Sequence, residues 1–295
     1  MTAPASEWQI VSPSRDKLGE SVLWHPREQA LYWIDFYGPT VHRRDPVTGQ
    51  QRDWIIAGHE SIGSLVFCAD GSLLVALENG VYHFDQKTGE LTLFGDPNQG
   101  RAAIAYNDAK VDRQGRYWVG TLDAKEQLPR GIFYCARSGG DWRLGDSGFV
   151  VSNGPTFSPK GDRLYFSDSM GGRILVYALD PETGRLGIAS EFHRFAAGEG
   201  FPDGLTVDSA GRIWCALYGG GKVVRFDPDG SRIEEISLPV PNVTSCCLGG
   251  PGLKTLYVTT GQTADKPPTD LGGALFARDV ATPGLPEPLF RPIES

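Results

Sequence analysis

The chain lacks the features that mark several common protein classes. Its five cysteines form neither a CxxC pair nor a zinc-finger spacing, so we expect no structural zinc site and no disulfide framework. No apolar run approaches the roughly 18 residues of a membrane helix, and the opening MTAPASEWQI has no basic segment followed by an apolar one. We therefore predict a cytoplasmic protein without a membrane partner, whose cysteines are reduced and mostly buried.

Positive charge is scarce and dispersed. The 28 Lys and Arg residues face 36 Asp and Glu residues, which gives a formal net charge of −8. No basic stripe is present that would displace counterions from a nucleic-acid backbone. We expect no nucleic-acid partner.

Several catalytic motifs are also missing. There is no G-x-S-x-G segment, which argues against an α/β serine hydrolase, and the five histidines form no HExxH pair of a zinc protease. The segment 218–222, YGGGK, lacks the spacing of a phosphate-binding loop and is interpreted as a turn. No stretch shows a sustained helical period, so helices are not expected.

What the sequence does contain is turns and a repeat. Its 38 Gly, 21 Pro and many aromatic residues indicate tight turns between aromatic-rich strands. A turn with glycine, followed by alternating aromatic and aliphatic residues, occurs six times, starting at Trp24, Phe67, Val111, Phe157, Val207 and Leu248. The turn glycines from Gly71 to Gly252 recur at intervals of 41 to 50 residues. This period is typical of β-propeller blades.

A second turn lies between several of these copies. It has Asp first and Gly last, at 45–49, 85–89, 180–184 and 227–230, which is hairpin chemistry. Each repeat therefore supplies about four strands. We predict an all-β fold, a six-bladed β-propeller with four antiparallel strands per blade. We expect one domain over 1–295, with a lead-in at 1–15 and a tail from about 280 to 295.

Polar residues precede the inner strand in several repeats. Glu20, Asn153 and Asp203 hold comparable places in three blades, and closing the ring could bring them together. Two carboxylates and a carboxamide suit Ca²⁺, Mg²⁺ or Mn²⁺, and Zn²⁺ or Fe²⁺ stays possible. The residue types alone also fit ordinary turn and rim positions.

Five segments in order resemble the gluconolactonase and regucalcin family over nearly the whole chain. They are LGESVLWHP from Leu18, YNDAKVDRQGRYWVGTLD from Tyr106, SNGPTFSPKGDRLYFSDS from Ser152, FPDGLTVDSAGRIWCALYGGGKVVRFDPDG from Phe201 and TSCCLGG from Thr244. The resemblance implies a six-bladed propeller that binds one divalent cation through Glu20, Asn153 and Asp203. It also implies hydrolysis of a small-molecule sugar lactone to the aldonic acid.

The same resemblance assigns roles near the cation. The cation polarises the lactone carbonyl and activates water, and Asp203 acts as the general base. Asn107 is expected to contact substrate or a water on the cation, and Asp108 is expected on the substrate side as an orienting neighbour. A non-catalytic, cation-binding propeller is the alternative, since the architecture hosts both. We expect a monomer or a weak homo-oligomer.

Two positions depart from the family. Ala105 stands where many members have arginine, which removes a forked donor from the substrate side. Lys125 follows the Gly120–Asp123 segment and is predicted to bind substrate by placing a positive charge at the mouth. That charge would favour an anionic lactone, for instance a sulfonated one, although an exposed lysine can also simply be solubilising.

Overall fold

The computed structural model describes residues 7–101, 103–137, 139–263 and 271–291. In these ranges it contains strands, one 3₁₀ turn at Pro251–Leu253 and no α-helix. The strands form six four-stranded antiparallel sheets. The innermost strands of the sheets contact one another in a closed cycle. The predicted six-bladed β-propeller is therefore confirmed.

Each of the first five blades uses four consecutive strands. The strands are β1 (Gln9–Ile10), β2 (Gly19–His25), β3 (Ala30–Asp35), β4 (Thr40–Arg44), β5 (Gln51–Ile55), β6 (Ile62–Phe67), β7 (Leu73–Leu77), β8 (Gly80–Phe84), β9 (Leu91–Gly95), β10 (Ile104–Val111), β11 (Tyr117–Asp123), β12 (Gly131–Ala136), β13 (Trp142–Phe149), β14 (Ser152–Phe157), β15 (Arg163–Asp168), β16 (Arg173–Ala178), β17 (Ser190–Arg194), β18 (Phe201–Val207), β19 (Ile213–Tyr218), β20 (Lys222–Phe226), β21 (Arg232–Ser237), β22 (Val243–Gly249), β23 (Thr255–Thr260) and β24 (Phe276–Asp279). Blade 1 is β2 to β5, and blade 5 is β18 to β21.

The sixth blade joins the two ends of the chain. Its sheet has the order β1, β24, β23, β22, with Gln9 opposite Ala277 and Ile10 opposite Phe276. The Thr244 hydroxyl of β22 donates to the Gly19 carbonyl of β2 in blade 1. Part of the predicted lead-in 1–15 is thus the outer strand of a blade. The reason is that β24 would otherwise present an unpaired edge.

The repeated turn carries a buried carboxylate that explains its sequence. Asp112 accepts hydrogen bonds from the backbone and side chain of Arg116 and from Trp118 Nε1, at 2.5 to 3.0 Å. Asp208 accepts from Trp214 Nε1 at 3.2 Å in the corresponding turn of blade 5. The aspartate of the turn is therefore hydrogen-bonded to the tryptophan at the second position of the next strand.

Burial follows strand order within a blade. The innermost strands β2, β6 and β14 are buried at every residue, whereas no residue of the outer strands β5 and β9 is buried. Aromatic rings fill the space between blades 3 and 4. The ring centroid of Phe133 lies 5.3 Å from that of Trp118 and 4.8 Å from that of Phe166. The cysteines are all buried and unpaired. Among the described residues, no helix is long and apolar enough to cross a membrane.

Every innermost strand has a register shift against its neighbour. The shifts lie between Glu20 and Leu23, Ile62 and Ser64, Tyr106 and Ala109, Asn153 and Thr156, Pro202 and Leu205, and Val243 and Cys246. A bulge of this kind redirects side chains and often lies beside a functional site. At Gly63 a Cβ would meet the Tyr106 carbonyl at 2.5 Å, so β6 and β10 approach too closely for a side chain.

We predict that Asp112→Ala lowers the free energy of unfolding by about 3 to 5 kcal/mol, because it leaves the buried Arg116 without its carboxylate. The matched control is Asp141→Ala, since Asp141 pairs with Arg143 on the surface. That control should change the free energy by less than about 1 kcal/mol. Urea unfolding measures both, and equal losses in the two variants would contradict the assignment.

Candidate active site

A cavity of about 640 Å³ opens at one end of the propeller axis. Glu20, Asn107, Asn153 and Asp203 all line it. They belong to β2, β10, β14 and β18, so four blades contribute. Each residue stands at or next to the bulge of its innermost strand. The bulges thus account for why these four side chains meet in one cavity.

Hydrogen bonds between blades fix the two amides. Asn107 Nδ2 donates to the Ser152 carbonyl at 2.9 Å and to Asn153 Oδ1 at 2.7 Å. Asn153 Nδ2 donates to Ser169 Oγ at 3.1 Å, and Ser169 Oγ donates to the Pro202 carbonyl at 2.7 Å. This chain of bonds orients Asn153 Oδ1, whose second lone pair is still able to accept a ligand.

Burial and mutual repulsion raise the pKa values of the acidic groups. Desolvation is the main cause of the raised pKa of Glu20, and the charges of Asp203 and Asp108 add to it. The pKa of Asp203 is raised by burial first and by the Asp108 charge second. Burial raises the pKa of Asp108 to about 7, against the opposing charge of Lys110. Ionising all three carboxyls together is therefore costly without a compensating cation.

The donor set fits a divalent cation. Asp203 Oδ1 is buried and has no hydrogen-bond partner among the described residues. Buried acceptors are rarely left unpaired, and a bound ion is one common explanation. Within the described ranges, no three His, Cys, Asp or Glu side chains are placed to hold a metal by themselves. A cation here would bind Glu20 and Asp203 and would also need the Asn153 oxygen.

The remaining predicted residues have different positions. Asp108 is buried but does not line the cavity, and its carboxylate accepts from its neighbour Ala109 N at 3.0 Å. Lys125 is exposed and lies outside the lining, which instead includes the adjacent Glu126. The roles of Asp108 and Lys125 stay predictions. Ala105 lines an adjoining cavity of about 450 Å³.

Sequence reasoning missed the rim of the cavity. Tyr37, Met170, Phe201 and Tyr218 line it and are 36 to 54% exposed. Lys17 also lines it, with Nζ 3.5 Å from the Tyr37 carbonyl. Rim residues lie in turns or at strand ends, where no periodicity marks them. The one signal in the sequence is an aromatic residue directly before a glycine, as at Tyr37 and Tyr218.

Comparison with known proteins identifies a family. The SMP-30/gluconolactonase/LRE-like region matches residues 18–262. The pentonolactonase XacC of Haloferax volcanii is 34% identical over 287 residues, covering 92% of this chain and 94% of that protein. The 6-deoxy-6-sulfogluconolactonase of Pseudomonas putida is 35% identical over 281 residues, with the same two coverages. The crystal structure of the calcium-binding protein regucalcin from Agrobacterium tumefaciens has a TM-score of 0.90 at 26% identity, covering 97% of this chain and 98% of that one.

We predict that Asp203→Asn raises the Tm of chelator-treated protein at pH 8, by about 2 °C or more. The folded-state pKa of Asp203 is above its unfolded value. Keeping it ionised therefore costs stability that grows as pH rises from the unfolded pKa towards the folded one. The increase in Tm should shrink at pH 5. Thermal unfolding measures it, with the exposed Asp162→Asn as control, and a lower Tm at pH 8 would contradict the prediction.

Proposed function

The chain belongs to the SMP-30/gluconolactonase/LRE-like family, and from that premise we propose that it hydrolyses a sugar lactone to the aldonic acid. The unpartnered, buried oxygen of Asp203 carries the proposal, because it supplies a base in the cavity that Glu20 and Asn153 also line. Two relatives at 34 and 35% identity are named for lactone hydrolysis, which supports the same activity.

We further propose that one divalent cation binds Glu20, Asn153 and Asp203. When bound, such a cation supplies a Lewis acid for the lactone carbonyl. It also offsets the repulsion between the two buried carboxylates. The similarity to a calcium-binding regucalcin favours Ca²⁺ among the ions that oxygen ligands accept.

Asp203 is the proposed general base. It takes a proton from the attacking water as the water oxygen bonds to the carbonyl carbon. The ring carbon–oxygen bond then breaks, and Asp203 returns the proton to the departing ring oxygen. Without a cation, burial and the Asp108 charge raise the pKa of this carboxylate, and a bound cation would offset that rise.

The cavity lining suits a sugar ring. Ser152 and Asn153 accept from both N–H groups of the Asn107 amide, which leaves that amide no donor for a substrate. Its carbonyl oxygen is the group most open to a substrate hydroxyl. The rim aromatics, including Tyr37 and Tyr218, offer flat surfaces for the C–H face of the ring.

An anionic lactone is a second candidate substrate. Lys17 is the one lysine or arginine among the described residues that line the cavity. A single ammonium at the mouth would attract a sulfonate, phosphate or carboxylate on the substrate. The relative named for a sulfonated lactone, at 35% identity, supports testing this class.

Asp203→Asn should lower kcat for lactone hydrolysis by at least about 100-fold, since it removes the proton acceptor. Acid release from gluconolactone, xylonolactone and arabinolactone measures it, after dialysis against chelator and return of single divalent ions. The exposed Asp162→Asn serves as the matched control and should keep wild-type turnover.

Turnover of Asp203→Asn at the wild-type rate would remove Asp203 as the base. If wild-type protein binds a cation but hydrolyses none of these lactones, the non-catalytic propeller is the better description.

Lys17→Ala should reduce the ratio of kcat/KM for a sulfonated lactone to that for the neutral lactone by about twofold to fivefold, the effect of one exposed charge pair. Lys125→Ala has the same charge change outside the lining and should leave the ratio unchanged. A reduced ratio in Lys125→Ala alone would instead support Lys125 as the substrate-binding lysine.

A further inference from the structure

An ion pair between a buried lysine and a partly buried glutamate lies outside the cavity of the candidate active site. Lys110 is on β10, three residues after Asn107, and is 8% exposed. Its ammonium is 3.3 Å from the Glu287 carboxylate. Neither side chain lines the axial cavity. The proposed hydrolysis uses neither residue.

Glu287 belongs to the C-terminal tail, which crosses the face of the propeller opposite the cavity. The tail follows β24 and contacts three different blades. The Ser209 amide donates to the Pro283 carbonyl at 2.9 Å, and Arg113 Nη1 donates to the Pro286 carbonyl at 3.1 Å. The Ala69 amide donates to the Phe290 carbonyl at 2.8 Å. These contacts fix the tail on both sides of Glu287 against turns of blades 2, 3 and 5.

Lys110 is placed to act on the acidic groups of the site. The charge of Lys110 lowers the pKa of Asp108, and the charge of Asp108 raises the pKa of Lys110. The charge of Asp108 in turn raises the pKa of both Glu20 and Asp203. The charge of Glu287 also acts on Arg113. The interacting charges therefore alternate in sign from Asp108 to Lys110 and to Glu287 of the tail.

We propose that Lys110 and Glu287 are a positioning pair that sets the affinity of the axial site for a divalent cation. The ammonium opposes cation binding, and the tail carboxylate offsets that opposition. This inference rests on the cation site of the proposed function. It adds that the C-terminal tail takes part in that site from the other end of the axis.

A purely structural ion pair would behave differently. Removing either partner of a structural pair loosens the same region, so both variants would change cation binding in one direction. An electrostatic role predicts opposite directions. Lys110→Met leaves a net negative charge below the site and should tighten cation binding, whereas Glu287→Gln leaves a net positive charge and should weaken it.

Isothermal titration of Ca²⁺ into chelator-treated full-length protein tests the proposal. We expect the Kd to fall by about threefold to tenfold in Lys110→Met and to rise by a similar factor in Glu287→Gln. The double variant should return to within about twofold of wild type. Circular dichroism checks folding, and Lys110→Gln makes the same charge change if Lys110→Met does not fold.

Two surface variants control for net charge. Glu191→Gln and Lys87→Met repeat the charge changes at exposed residues and should leave the Kd unchanged. Shifts in the same direction, or no shift, in Lys110→Met and Glu287→Gln overturn the positioning role while the proposed function stands. If wild-type protein binds no Ca²⁺, Mg²⁺ or Mn²⁺, the proposed cation site fails and this inference fails with it.

Discussion

Burial of like charges at the axis is the constraint on which the account of this protein depends. Glu20, Asp108 and Asp203 are each less than 10% exposed, and their charges act on one another. Such a cluster destabilises a fold unless a ligand or a proton neutralises it. A protein that keeps it therefore gives up stability at the place where a cation and a proton acceptor are useful.

The propeller architecture makes this cluster possible. Six innermost strands converge on the axis, and in four of them a bulge lies at or next to a side chain that lines the cavity. The amides of Asn107 and Asn153 and the Ser169 hydroxyl, which donates to the Pro202 carbonyl, then link three blades by hydrogen bonds. The site is held by the ring as a whole rather than by one loop, which limits movement of its ligands.

Sequence reasoning succeeded where the determinants are local. The repeated turns depend on residues within a few positions of one another, such as Asp112 and Arg116, so the blade period was visible. The bulges were not visible, because they depend on contacts between blades, as at Gly63 against Tyr106. The outer strand β1 was also missed, since its partner β24 is far away in the chain.

The difference between local determinants and contacts between distant parts of the chain also applies to the site. Glu20, Asn107, Asn153 and Asp203 were predicted from their place in the repeat and from family resemblance, and the structure puts all four in one cavity. Lys17 has no repeat position, and its place at the rim follows from ring closure. Lys110 and Glu287 are separated by 177 residues, so no sequence pattern relates them.

The most direct test of the central claim is calorimetric titration of divalent cations into chelator-treated wild-type protein and its Glu20→Gln variant. We predict one bound ion per chain in the wild type and a Kd at least about tenfold weaker in Glu20→Gln, which loses one charged ligand. The claim would be contradicted if wild-type protein bound no ion, or if Glu20→Gln bound one as tightly.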